Sequence, residues 1–413
     1  MNPEFLSQLF IIIVILISGL KLYLNFRQAK SIKNNINSIP EGFINYITLA
    51  DHQKAANYNL EKLKLNNIEN IVSSIVLLLF TLGGGIQLIN NYLINLNQYP
   101  ISQGVSVIIC FSIINSIISL PFAVYSTFFI EQKYGFNNMN IKLFIVDIIK
   151  NTVLSSIIGI PLIYLILWLM EITNGYWWLW VWSVLVIFNL ILLLIYPMFI
   201  APIFNKFTPL DNEELKQKIE QLLIKCGFKT HGIFIMDGSK RSSHGNAYFT
   251  GIGRAKRIVF FDTLIKKLQF DEIEAILAHE LGHFKNKHVL KQIIFSFTLT
   301  FVGLFILSLL IHQPLFFNTL GVTSITNYNG LILFILIMDI ITFPFAPLSS
   351  YLSRKNEFEA DDFAKNYSSK KDLINGLVKL YRDNASTLTP DSLYVKFYYS
   401  HPPASIRIAH LRE

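Results

Sequence analysis

His279 and His283 stand four residues apart, with Glu280 between them, in the stretch Ala278-His279-Glu280-Leu281-Gly282-His283. On a helix, residues i and i+4 lie one above the other on the same face. The two imidazoles can therefore bind one metal ion, with Glu280 beside them as a candidate base. An ordinary helix can carry this pattern by chance. Gly282 argues against chance, because glycine costs about 1 kcal/mol in a helix interior and needs a packing or functional reason.

A catalytic zinc usually takes three protein ligands and leaves a fourth position to water. Cysteine does not supply the third. The chain has two, Cys110 in an apolar run and Cys226 in a basic loop, and neither suggests a thiolate site or a disulfide framework. The best candidate region is Asn356-Glu357-Phe358-Glu359-Ala360-Asp361-Asp362. Glu357 and Asp361 share a helix face, while Glu359 points roughly the other way. A ligand carboxylate followed one turn later by a carboxylate that orients an imidazole is a sensible pairing. The competing reading is a solvated acidic helix N-terminus, favoured by the macrodipole. It loses weight beside an unclaimed His-Glu-x-x-His.

The elements that carry these residues are apolar. Of 413 residues, 52% are hydrophobic and only 15% charged, against about 25% charged in a soluble protein. Long apolar runs lie near Leu6–Tyr23, Ile71–Leu93, Val105–Phe129, Val153–Met170, Trp177–Ile195, Gln292–Ile311 and Gly330–Ser350. Each approaches or exceeds the ~20 residues that cross a bilayer as a helix. The connections alternate in charge. Arg27, Lys30, Lys33, Lys54, Lys62 and Lys64 precede the second run, and Lys133 and Lys142 precede the fourth. The long fifth connection and the tail are basic too. Asn95–Pro100, Thr173–Tyr176 and His312–Asn329 hold neither Lys nor Arg. About seven spans with every second loop in the cytoplasm would give this pattern, placing the N-terminus outside and the C-terminus inside. Positive charges follow the first run and do not precede it, so it reads as a retained anchor and not a cleaved signal. Cytoplasmic loops facing anionic lipid account for the net charge of +8. No basic module with interleaved aromatics is present, so no nucleic-acid partner is expected. Asp339, inside the seventh run, should face a polar interior or pair with another span.

The long basic loop, about Ala201–His288, reads as a small α/β domain. Asp211–Lys225 has helical periodicity. Gly232–Met236, Gly245–Thr250 and Arg257–Asp262 read as strands, the last two joined by a turn at Gly251-Ile252-Gly253-Arg254. Phe270–Phe284 is then the helix with the metal motif. It runs toward the sixth span, and Glu357 follows the seventh. Both halves of the site thus emerge on one side of the membrane, at its cytoplasmic boundary.

His-Glu-Leu-Gly-His followed by Glu-Phe-Glu-Ala-Asp, on a chain with about seven spans, resembles the CAAX prenyl protease type I family, integral-membrane zinc metallopeptidases known from a-factor maturation. Ser239–Phe249, Phe260–Leu264, Asn205–Leu210 and Ser400-His401-Pro402-Pro403 with Arg407 look like further signatures. The resemblance covers nearly the whole chain. It implies one zinc per chain held by His279, His283 and Glu357, with Glu280 as general base and Asp361 as the carboxylate behind the ligands. It implies that Asn246 and Ala247 lie on an edge strand that pairs with substrate backbone. His401 and Arg407 would line the site and steady the oxyanion. It also implies a helical barrel around a water-filled chamber.

The expected fold is mainly α, a polytopic membrane protein plus a small cytoplasmic α/β zinc metalloprotease domain. Its expected divisions are 1–200 (five spans and the N-terminal cytoplasmic loop), 201–288 (the metalloprotease domain), 289–351 (two spans) and 352–413 (the tail with the third ligand). Zinc would activate a water and polarise the scissile carbonyl, and Glu280 would relay the proton. The substrate would be a peptide or protein, prenylated as in the family, or a membrane protein under quality control. A transporter or scaffold with a structural metal is the alternative, and the intact Glu280 argues against it. The Asn/Ile/Lys-rich composition points to an AT-rich bacterial genome and its inner membrane; in a eukaryote the address would be the endoplasmic reticulum. His52, His231, His288, His312 and His410 receive no functional role.

Overall fold

The computed structural model describes residues 2–94, 99–250 and 257–413. Seven helical runs are long and apolar enough to cross a membrane: Pro3–Asn35, Leu49–Phe80, Pro100–Glu131, Ile141–Ile172, Asn174–Phe204, His288–Leu310 and Asn327–Tyr367. The number is the expected one. The second boundary is not. That span was expected over Ile71–Leu93 but begins at Leu49 and stops at Phe80. The run Gly83-Gly84-Gly85 breaks it, since Gly84 takes φ +76°, a conformation glycine adopts at little cost. A separate helix, Gly85–Ile94, follows. Lys54, Lys62 and Lys64 therefore sit on the first half of a long helix and not in a loop.

Each span touches the next, and the seventh touches the first, so the ring closes. Polar side chains from several spans face one another. Ser18 and Lys21 of the first span, Asn70 of the second, Asn115 and Ser119 of the third and Asp339 of the seventh line a cavity of about 210 Å³. Lys21 Nζ lies 2.6 Å from Asp339 Oδ2, and the Asp339 side chain is 72% exposed. Both readings of Asp339 hold: it pairs with another span, and it faces a polar space.

The α/β domain holds a four-stranded sheet of β1 (Phe207–Pro209), β2 (Ile233–Met236), β3 (Ala247–Thr250) and β4 (Arg257–Phe261), in the order β1-β2-β4-β3. β2 and β4 are parallel, and the other pairs are antiparallel. Among the described residues β3 has one partner, so its other edge is free. The turn expected at Gly251–Arg254 lies outside the described residues. β1 was not anticipated, because three residues show no alternation to read. Leu215, Ile219, Leu222, Ile258, Phe260 and Leu277 are all but fully buried in the domain core.

The helix Phe270–Lys285 is started by a capping box between Gln269 and Glu272. It buries Ile273, Ile276, Leu277 and Leu281. Its other neighbour is the last part of the seventh run. That run is the helix Asn327–Thr342, a tight turn at Phe343–Phe345 containing Pro344, and the helix Ala346–Tyr367. Gly282 sits where the two helices cross. A Cβ there would come within 2.9 Å of the Ala360 backbone, which is the packing reason its presence asked for.

Candidate metal centre

The helical period puts His279 and His283 on one face, and the crossing at Gly282 brings Glu357 against them. His279 Nε2 lies 3.2 Å from His283 Nε2. The Glu357 carboxylate lies 3.4 Å from His279 Nε2 through Oε2 and 3.3 Å from His283 Nε2 through Oε1. These separations match the roughly 3.3–3.5 Å between ligand atoms around a tetrahedral zinc with bonds near 2.0–2.2 Å. Glu357 Oε2 is buried and has no hydrogen-bond partner among the described residues. A buried carboxylate oxygen is costly to leave unpaired, and a cation between these three side chains would satisfy it. Two imidazoles and a carboxylate form a donor set that suits zinc.

Asp361, one turn after Glu357, is fully buried. Its Oδ1 is 2.8 Å from His279 Nδ1. Arg407, 4% exposed on the helix Ala404–Arg412, grips the same carboxylate through Nε and Nη2, each at 2.7 Å. Its Nη1 lies 3.4 Å from Glu357. Burial and the Arg407 charge press His279 toward its neutral form, but hydrogen bonds to Asp361 and Glu357 outweigh them and raise it to about 9. A cation binding here displaces a proton.

His401 precedes Pro402-Pro403 and lies outside the helix that starts at Ala404. Its Nε2 is 3.4 Å from Glu357 Oε1, and its side chain is 63% exposed. Glu280, half-buried, points into a cavity of about 450 Å³ that Asn246, Ala247, His279, His401 and Arg407 also border. All nine residues singled out in the sequence are thus brought to one place. Two others were missed. His283 Nδ1 lies 3.0 Å from His288 Nδ1, and His288 Nε2 lies 3.0 Å from Glu359 Oε2. Helical spacing gave no signal for either, since five residues do not share a helix face and Glu359 points away from Glu357.

Known proteins share this architecture. Residues 28–206 match the family described as CAAX prenyl protease N-terminal, five membrane helices, and residues 209–413 match peptidase family M48. The chain is 34% identical to CAAX prenyl protease 1 of Saccharomyces cerevisiae, over 94% of this chain and 91% of that protein. It is 35% identical to the CAAX prenyl protease 1 homolog of Arabidopsis thaliana, over 94% and 92%. The crystal structure of S. mikatae Ste24p superposes with a TM-score of 0.92 at 31% identity, covering 100% of both chains.

Proposed function

The chain belongs to peptidase family M48, in its CAAX prenyl protease type I branch, and from that premise we propose how its residues cleave a peptide bond. It is a multi-pass integral-membrane metalloprotease. A transporter or scaffold is not favoured, because the family is one of peptidases and Glu280 is intact.

We infer one zinc per chain, held by His279, His283 and Glu357. The observation that carries this reading is the buried Glu357 carboxylate set against two imidazoles, Oε2 toward His279 and Oε1 toward His283, with ligand atoms from all three side chains within 4.8 Å of one another. When bound, zinc supplies an acidified water and a polarised carbonyl. Glu280 takes the proton of the attacking water and returns it to the leaving amine. Asp361 fixes the direction of His279, and Arg407 holds Asp361 in place. His401 donates to the oxyanion that develops beside it. The substrate chain lies along the free edge of β3, at Ala247 and at Asn246 just before the strand, and adds as a further strand.

The name of the yeast relative suggests the substrate class, the C-terminal segments of prenylated proteins. The yeast and plant relatives favour the endoplasmic reticulum over a bacterial inner membrane. We infer from the basic loops that the site faces the cytoplasm. The test is zinc analysis and cleavage of a farnesylated peptide, the same peptide without farnesyl and an unfolded membrane protein, beside Glu280→Gln. Zinc should be equal in both proteins, and the wild type should cut the farnesylated peptide best. Equal cleavage by wild type and Glu280→Gln sinks the mechanism. Preference for the unfolded protein sinks the substrate assignment alone.

A further inference from the structure

Each of the two imidazoles assigned to the metal has a second nitrogen, and each second nitrogen has a partner. For His279 it is Asp361. For His283 it is another histidine, His288, whose far nitrogen reaches Glu359. The protons in this chain of contacts are settled by chemistry. An imidazole that turns the Nε2 lone pair to a cation carries its proton on Nδ1. His283 Nδ1 then donates, so His288 Nδ1 must accept. The His288 proton sits on Nε2 and is donated to the Glu359 carboxylate. Every nitrogen is used, as the 3% exposure of His288 requires.

The backbone is bent to allow this. Five residues along an unbroken helix would turn His288 about 140° away from His283. Lys287 prevents it. Between the helix ending at Lys285 and the sixth span beginning at His288, Lys287 adopts φ 56°, ψ 32°. A non-glycine residue rarely adopts such a conformation, and it persists where the surroundings enforce it. Asn286 Nδ2, just before it, donates to the Glu359 carbonyl at 3.3 Å. The turn and the partner carboxylate are thus tied together. Lys355, 4.0 Å from Glu359 Oε1, is the cation beside the carboxylate.

We propose that His288 and Glu359 are a positioning pair that fixes the tautomer and direction of His283. The sixth and seventh membrane runs, which carry them, thereby set the affinity of the metal site. This rests on His283 being a ligand. The test measures zinc dissociation constants on the purified full chain by chelator competition, with the visible spectrum of the cobalt(II)-loaded protein beside them. His288→Phe keeps the bulk and removes both nitrogens. His288→Asn restores an acceptor near the place of Nδ1. Glu359→Gln keeps the shape and removes the charge. Zinc binding should weaken about 10–100-fold in His288→Phe, recover most of the way in His288→Asn, and weaken measurably in Glu359→Gln. The cobalt spectrum should shift in Glu359→Gln while the unfolding temperature of its metal-free form stays at the wild-type value. A purely structural role would do the reverse. Should His288→Phe fail to fold, Glu359→Gln decides. Wild-type zinc affinity and cobalt spectrum in Glu359→Gln overturn the proposal. A wild-type protein that binds no zinc overturns instead the metal reading on which it rests.

Discussion

Arg407 and His401 come from the same short tail segment, yet the site uses them differently. Arg407 is closed off from solvent and answers two carboxylates, Asp361 through a two-point grip and Glu357 at 3.4 Å. Removing one partner of a buried pair leaves the other charge uncompensated, at a cost of about 3–5 kcal/mol. Arg407→Ala is therefore expected to lower the thermal unfolding midpoint markedly. Arg407→Lys should recover only part of the loss, since an ammonium cannot reproduce the two-point grip. His401 is mostly exposed and touches the edge of Glu357 through Nε2 and Ser400 Oγ through Nδ1. His401→Ala should leave unfolding and zinc content unchanged while lowering kcat about 10²–10³-fold, the usual loss for one oxyanion donor. An unchanged kcat would remove His401 from the mechanism.

The crossing of two helices builds the candidate metal site, and Gly282 is its contact point. Gly282→Ala touches no ligand, but its Cβ would meet Ala360 backbone at 2.9 Å and force the helices apart. Overpacking of this kind costs about 1–3 kcal/mol, and here it would also separate His279 and His283 from Glu357. The expected result is weaker zinc binding, measured by chelator competition, in a protein whose seven spans still assemble. At this scale much was legible in the sequence. The two histidines follow from helical period, Glu357 from its type and its place after the seventh span, and the number of spans from length and apolarity. Other features depend on contacts that local pattern does not encode. The second span ends where three glycines break it, and its first half is too polar to read as part of a crossing. β1 is too short to alternate. His288 reaches His283 only because Lys287 turns left-handed, a backbone choice that lysine does not announce.

Across the whole molecule, the spans form a closed ring, and the candidate metal site lies where the helix before the sixth member crosses the end of the seventh, beside the free edge of β3. The spans pack on one another through contacts that do not involve the three donors, whereas a cation would bind between His279, His283 and Glu357. Removing zinc with a chelator should therefore abolish cleavage and lower the unfolding temperature, while far-UV circular dichroism keeps its helical content. Stoichiometric zinc should restore both, because a ligand that binds only the folded chain stabilises it by mass action. The central claim is that one zinc sits between two helices and is held by residues far apart in sequence. The most direct test is anomalous scattering at the zinc edge from crystals of the cleavage-competent protein. One peak per chain, bonded to His279 Nε2, His283 Nε2 and a Glu357 oxygen, is the predicted result. No peak between these three side chains, or a peak on other ligands, in protein that still cleaves would contradict it.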